Sequence, residues 1–324
     1  MKRRSMLGMM SALAVLAAAT GFGPASAQAA EIIYLTPALD VPFWRTVAKG
    51  VEAAAVEGGY TYSALDSQNN AEKQLKNAQD AITRQVAGIV ISPTDSSTAP
   101  SVLKLAAEAG IPVVIADIGT NEGEYVSFIA SDNTAGAAGV GEAVAAALKT
   151  QGLSEAPYGM ITISLARING QKRTDGFRSS MQAGGYGDEV ALQQMQAYTA
   201  DESFKFAQDM LTAHPELKAM FIQADVPALG ALRAIKAARR TGDIVVGAFD
   251  GIPEFVDLLK SGELVAAGMQ QPYLMGEMAA QSLIKHLNGE TPEKEVLVPV
   301  LIVTSTNIDK VLPEARKNVF GETE

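Results

Sequence analysis

Seven places along this chain put planar polar groups or aromatic rings just after a short apolar, β-branched run. Asp40, Phe43 and Trp44 follow the run at 32–36, and Asp117 follows that at 112–116. Arg167, Asn169 and Arg173 follow 159–164, and Tyr198 follows 190–196. Asp225 follows 219–223, Asp250 follows 244–249 with Phe249 as its last residue, and Gln270 follows 264–269. Carboxylates, amides and guanidinium groups hydrogen-bond neighbouring hydroxyls in pairs. Aromatic faces pack against C–H faces. That is the inventory needed to hold a small carbohydrate or polyol. Each residue alone has a plainer reading: an Asp after a strand is often a helix N-cap, and the single tryptophan could be core. The recurrence across seven edges is what points to a site.

Other chemistries lack their residues. The chain has no cysteine, which excludes disulfides, thiolate metal sites and a cysteine nucleophile. His214 and His286 are far apart and have no metal-ligand spacing. No G-x-S-x-G elbow supports a serine triad. Gly136, Gly139 and Gly141 do not form a dinucleotide fingerprint, and no phosphate-binding P-loop is present. The expectation is a protein without catalytic residues, metal or cofactor. A formal charge of −10 argues against nucleic acid as a partner.

The elements that position these residues alternate. Runs at 32–36, 60–65, 88–91 and 112–116 read as strands, with amphipathic segments at 43–56, 71–84 and 99–109 between them. Strands too apolar to alternate, separated by helices, indicate a parallel sheet covered on both faces. The rhythm restarts with a helix at 132–148, capped by Ser131 or Asp132, and continues through strands at 159–164, 190–196, 219–223, 244–249 and 264–269. A last strand is placed at 296–303. Roughly ten strands divide more readily into two sheets than one. No Gly/Ser tether separates the halves, so the junction near 128–131 must be a hinge of crossing strands. In open α/β sheets ligands sit beyond the carboxyl ends of the strands, where the seven polar edges lie.

The N-terminus reads as a secretory signal. Lys2, Arg3 and Arg4 precede an apolar run from Met6 to Thr20, then Ala25-Ser26-Ala27. The run, about 15 residues, is short for a membrane span. Cleavage after Ala27 is expected, and with it an exported, soluble mature protein. The segment from 313 to 324 reads as a charged, partly ordered tail.

Several segments together resemble the periplasmic sugar-binding proteins of the ribose-binding type, which serve ATP-binding-cassette (ABC) transporters. They are Pro42-Phe43-Trp44, Leu65-Asp66-Ser67-Gln68-Asn69-Asn70, Ser92-Pro93-Thr94-Asp95-Ser96, Ile129-Ala130-Ser131-Asp132-Asn133, Leu211-Thr212-Ala213-His214-Pro215, Ala228-Leu229-Gly230-Ala231-Leu232-Arg233 and Phe249-Asp250-Gly251. The resemblance implies two Rossmann-like, three-layer α/β lobes with parallel sheets, joined by a three-crossing hinge. Lobe one would take 28–131 and 271–299, and lobe two 132–270 and 300–324. It implies a ring sandwich at Phe43 and Trp44, and ligand contacts at Asp117, Arg173, Tyr198, Phe249, Asp250 and Gln270. Three polar positions of the pattern are apolar here: Val41, Ile118 and Ala224. Asn169 stands where the pattern has a small residue, and Arg167, Asp40 and Asp225 are further candidates. The implied ligand is therefore a monosaccharide or polyol other than ribose. The implied partners are a membrane permease and, in a second reading, a chemoreceptor or sensor kinase; a monomer is expected. A transcription regulator would need an N-terminal helix-turn-helix, and a carbohydrate enzyme would have to use Asp117 and Asp250 as paired carboxylates.

Overall fold

The computed structural model describes residues 30–322, so the signal-peptide reading of 1–27 lies outside the described residues. The first sheet is built from β1 (Glu31–Thr36), β2 (Thr61–Asp66), β3 (Gly88–Ile91), β4 (Val113–Ala116) and β5 (Ser127–Ser131). Between the first four run α1 (Pro42–Glu57), α2 (Ala71–Thr83) and α3 (Ala99–Glu108). After α4 (Asn133–Thr150) the second sheet takes β6 (Tyr158–Thr162), β7 (Glu189–Gln194), β8 (Ala219–Ile222), β9 (Val245–Phe249) and β10 (Ala266–Met269). Its helices are α5 (Ile168–Ala183), α6 (Ala200–Ala213), α7 (Asp225–Ala237) and α8 (Phe255–Ser261). The chain closes with α9 (Pro272–Leu287), β11 (Glu295–Val298), β12 (Leu301–Thr304) and α10 (Ile308–Asn318).

Strand order is β11-β5-β4-β3-β1-β2 in the first sheet and β12-β10-β9-β8-β6-β7 in the second. Ile33 of β1 lies between Ser63 and Ile89, and strands β3 and β4 are buried throughout. Burial on both sides explains why their sequences are continuously apolar. The chain passes between the sheets three times: from β5 into α4, from β10 into α9, and from β11 into β12.

Three expectations need correction. The single strand at 296–303 is two strands in different sheets, because Pro299 has no N–H to continue a ladder and the chain crosses there. Strand β12 pairs antiparallel with β10, so the second sheet has one antiparallel edge. The C-terminal segment is a helix rather than a loose tail. Ile308, Ala315 and Val319 are buried against the second-sheet core, and Lys49 Nζ donates to Gly321 O at 2.9 Å.

Helix ends follow their local chemistry. Asp132 caps α4 through Ala135 N at 3.0 Å, Asn70 caps α2 through Lys73 N at 2.8 Å, and Thr199 caps α6 through Glu202 N at 3.2 Å. Helix α1 starts on Pro42, whose fixed φ suits the first helical turn. It packs on α9 at glycines: a Cβ on Gly276 would lie 2.1 Å from Val47 O, and one on Gly50 2.1 Å from Tyr273 O. Alanine normally stabilises a helix relative to glycine by about 1 kcal/mol. Here the added methyl meets backbone. Gly276→Ala is expected to destabilise the protein by about 3 kcal/mol, at the upper end of ordinary overpacking. Urea unfolding of the variant tests this, and a stability gain would refute the close contact.

Candidate functional site

The carboxyl ends of both sheets face a single cavity of about 590 Å³. From the first sheet it is lined by the loop after β1 with the start of α1, by Asp66, Gln68 and Asn69 after β2, and by Asp117 after β4. From the second come the β6–α5 loop and the first turns of α5, Tyr198 after β7, Asp225 after β8, Asp250 after β9 and Gln270 after β10. Asp117, Tyr198 and Asp250 have φ of 65°, 57° and 67°. Non-glycine residues rarely hold that left-handed conformation, and it is costly. Asp117 and Asp250 hold it directly after β4 and β9, and Tyr198 holds it just before α6.

Arg173 is the centre of the polar set. Its Nε donates to Asn133 Oδ1 at 2.7 Å and its Nη1 to Gln223 O at 2.8 Å, while Nη1 lies 3.4 Å from Asp250 Oδ1. The guanidinium carbon sits 4.1 Å from the Phe249 ring centroid. Asp250 also accepts a bond from Gln270 Nε2. Asn169 Nδ2 donates to Asp117 Oδ2 at 3.0 Å, joining the two sides of the cavity. Asp225 Oδ1 accepts from Val226 N at 2.6 Å.

Burial pushes all three carboxyls above their ordinary range. Asp117 rises to about 6, with Arg173 and Arg167 opposing the rise and Asp250 adding to it. Asp225 rises to about 7, pushed further by the neighbouring Asp250 charge and opposed by the Val226 N–H. Asp250 is also raised by burial, against the pull of Arg173. Arg173 Nε and Nη1, Asn169 Nδ2 and Gln270 Nε2 donate to protein acceptors. Two buried atoms in the cavity wall without a protein partner, Asp117 Oδ1 and Gln270 Oε1, are both acceptors. The arrangement suits a ligand that offers hydroxyl protons.

Eleven of the twelve residues singled out from sequence line this cavity: Asp40, Phe43, Trp44, Asp117, Arg167, Asn169, Arg173, Tyr198, Asp225, Asp250 and Gln270. Phe249 does not; it is fully buried beneath Arg173 in the second-sheet core. Phe43 and Trp44 meet edge to face, with centroids 4.7 Å apart and planes at 89°, so they are not two parallel faces of a sandwich. Of the three apolar positions, Val41 and Ala224 line the cavity, whereas Ile118 is packed in the first-sheet core. The sequence reading missed Gln68 and Asn69, although they follow β2 as the others follow their strands. It also missed Asn133 and Gln223, which hold Arg173 without lining the cavity. Among the described residues no group of His, Cys, Asp or Glu is placed to hold a metal ion, and no helix is long and apolar enough to cross a membrane.

Comparison with known proteins agrees with this geometry. Residues 32–291 match the family described as periplasmic binding protein domain. The ribose import binding protein of Escherichia coli strain K12 is 33% identical, over 94% of this chain and 99% of its own length. The D-apiose import binding protein of Paraburkholderia graminis is 30% identical, over 94% and 96%. A crystal structure of an ABC transporter solute-binding protein from Agrobacterium vitis with bound D-fucose superposes with a TM-score of 0.75 at 30% identity, covering 89% of this chain and 99% of that one. The chain belongs to the periplasmic-binding-protein family, whose members bind rather than catalyse, and whose place is the periplasm.

The raised carboxyls set a pH dependence. A carboxyl whose folded pKa exceeds its unfolded value holds its proton more tightly when folded. Its contribution to stability is complete below about pH 4 and is lost as pH rises through 6 to 7. Asp225→Asn cannot lose that contribution. The melting temperature of the variant relative to wild type is expected to increase steadily between pH 4 and pH 8 in the absence of ligand. A difference that stays constant across that range would show that Asp225 does not titrate there.

Proposed function

We propose that this protein is exported, is cleaved after Ala27, and traps a neutral monosaccharide or polyol other than ribose between its two lobes. The lobes are taken as 28–131 with 271–299, and 132–270 with 300–324; the sheet to which each strand belongs supports this division. Hinge closure around the ligand presents the closed form to the membrane permease of an ABC transporter. The observation that carries the reading is the acceptor-rich cavity. Asp117, Asp225 and Asp250 converge on it from both sheets, with Asp117 Oδ1 and Gln270 Oε1 unpartnered. Hydroxyl protons complete those acceptors, whereas a carboxylate or phosphate would bring its acceptors against the three buried carboxyls.

Val41 and Ala224 bear on which sugar. Both place methyl groups on the cavity wall, and a hydroxyl facing them loses its partner at a cost of about 1–3 kcal/mol. A deoxy or branched sugar, a different pentose, or a polyol avoids that cost. The relatives that handle D-apiose and D-fucose, a branched and a deoxy sugar, are consistent with this direction.

A thermal-shift panel of D-ribose, D-apiose, D-fucose, D-arabinose, ribitol and myo-inositol tests the reading, since a ligand that binds only the folded state raises the melting temperature. At least one neutral member is expected to exceed ribose, with calorimetry confirming its tighter binding. Sub-micromolar ribose binding with no response to the others would overturn it. For the best member of the panel, Asp250→Ala is expected to weaken binding by about 1.5–3 kcal/mol, the cost of a charge-assisted hydrogen bond. An unchanged affinity would remove Asp250 from the site.

A further inference from the structure

Two segments singled out in the sequence, Asp66 to Asn70 at the cavity rim and Ser92 to Ser96 beyond its lining, also meet the opposite lobe. The structure shows what they touch. Arg167, on the second-sheet side, donates from Nε to Thr94 O at 2.9 Å and from Nη2 to Asn69 Oδ1 at 3.0 Å. The next residue, Ile168, donates its backbone N–H to Ser96 Oγ at 3.2 Å. The two loops therefore meet the start of α5 directly, across the cleft and away from the three crossings. We infer that Arg167 is a closure latch: it holds the two lobes together through bonds that need no ligand, and so sets how often the empty protein closes.

The latch has the features of a built contact. Arg167 is only 7% exposed, although it bridges two lobes. Its guanidinium lies 4.9 Å from the Tyr198 ring centroid, which fixes its direction from the second-sheet side. Its acceptors are fixed from the other side. Buried Gln74 accepts from Thr94 N at 3.0 Å and donates to Ser92 O at 2.9 Å, which fixes the loop carrying Thr94 O. Asp95 Oδ1 accepts from Ser97 N at 2.8 Å and Thr98 N at 3.0 Å, closing the turn that places Ser96. Asn69 sits at φ 52° with its N–H on Pro37 O at 2.6 Å. Preorganised partners lose little freedom when the lobes meet.

Both acceptors of Arg167 are neutral, a carbonyl and an amide oxygen. The latch therefore forms charge-assisted hydrogen bonds without the neutralisation that a salt bridge brings. Such contacts are strong enough to populate a closed form and weak enough to release it. The closed fraction of the empty protein then enters the apparent affinity directly, because a ligand that binds only the closed form is weakened by the fraction of time the protein is open. Arg167 acts on binding through the position of the lobes, and its neighbour Asn169 adds one further cross-cleft bond to Asp117.

The test uses the empty protein, so its outcome does not depend on the identity of the ligand. The native chain has no cysteine, so Lys76→Cys on α2 and Lys205→Cys on α6, both at exposed positions, accept one spin label each. The distance distribution between the labels, measured by pulsed electron resonance without ligand, is expected to contain a short component. That component should fall several-fold in Arg167→Ala, and likewise in Asn69→Ala on the opposite lobe, while the circular dichroism spectra remain those of folded protein. Combining the two substitutions should lower it no further than Arg167→Ala alone, because the bond lost in Asn69→Ala is one of those that Arg167→Ala removes. Two results would overturn the inference: a short component that persists unchanged in both variants, or a wild-type distribution with no short component at all. If Arg167→Ala fails to fold, Asn69→Ala decides by itself.

Discussion

The site depends on one buried cation. Arg173 is the shared countercharge for three buried carboxyls, and its own hydrogen bonds run to parts of the chain that are far apart in sequence. Asn133, which accepts from Nε, stands at the first crossing and donates to Ser131 O at 2.9 Å. Gln223, whose carbonyl accepts from Nη1, directly follows β8 and donates from Nε2 to Thr174 Oγ1 at 2.8 Å. Asp250, beside the same nitrogen, directly follows β9 and accepts from Gln270 at the second crossing. Removing a guanidinium from such a position would leave buried carboxyls without a partner, which costs several kcal/mol, whereas replacing a whole buried ionic set by apolar isosteres is often neutral. The cavity wall and the hinge are thus held by the same group.

That arrangement leaves two acceptors of cavity-lining residues, Asp117 Oδ1 and Gln270 Oε1, without a protein partner. The donors of Arg173, Asn169 and Gln270 that the structure pairs are directed to protein acceptors. The carboxyls are left with oxygens to spare, and burial keeps them inclined to hold protons. A hydroxyl-bearing ligand meets this wall with donors of its own. The aromatic contribution is smaller than a sandwich would give, because Phe43 and Trp44 stand edge to face and Tyr198 is shared with Arg167.

Much of this was legible in the sequence because strand ends announce themselves locally. A short apolar run followed by Asp, Arg or Gln can be read without knowing the partner, and Asp117, Asp225, Asp250 and Gln270 were found that way. What could not be read were relations between distant segments. Asn169 lines the cavity as expected of a strand-end residue, but its bond to Asp117, 52 residues away, could not be read locally. Phe249 was expected in the cavity, yet period-2 alternation at a strand end does not say which face Arg173 will cover. Asn133 and Gln223 carry no local signal, since their importance comes from the guanidinium they hold. The strand at 296–303 looked continuous because both halves are apolar, and only Pro299 marked the break.

The last turn of the chain has a mechanical meaning. Gln271, at the second crossing, donates to Pro299 O at the third and accepts from Asn318 Nδ2 of α10 at 2.9 Å. The helix is anchored by Ile308 and Ala315 in one lobe, while Gly321 O rests on Lys49 of the other. This contact lies beside the crossings, close to the axis about which the lobes would turn. Points near an axis travel little while the rim of the cleft sweeps widely. Helix α10 and the turn after it therefore form a short tie-rod at the back of the lever, where it can bear load through opening and closing without obstructing either.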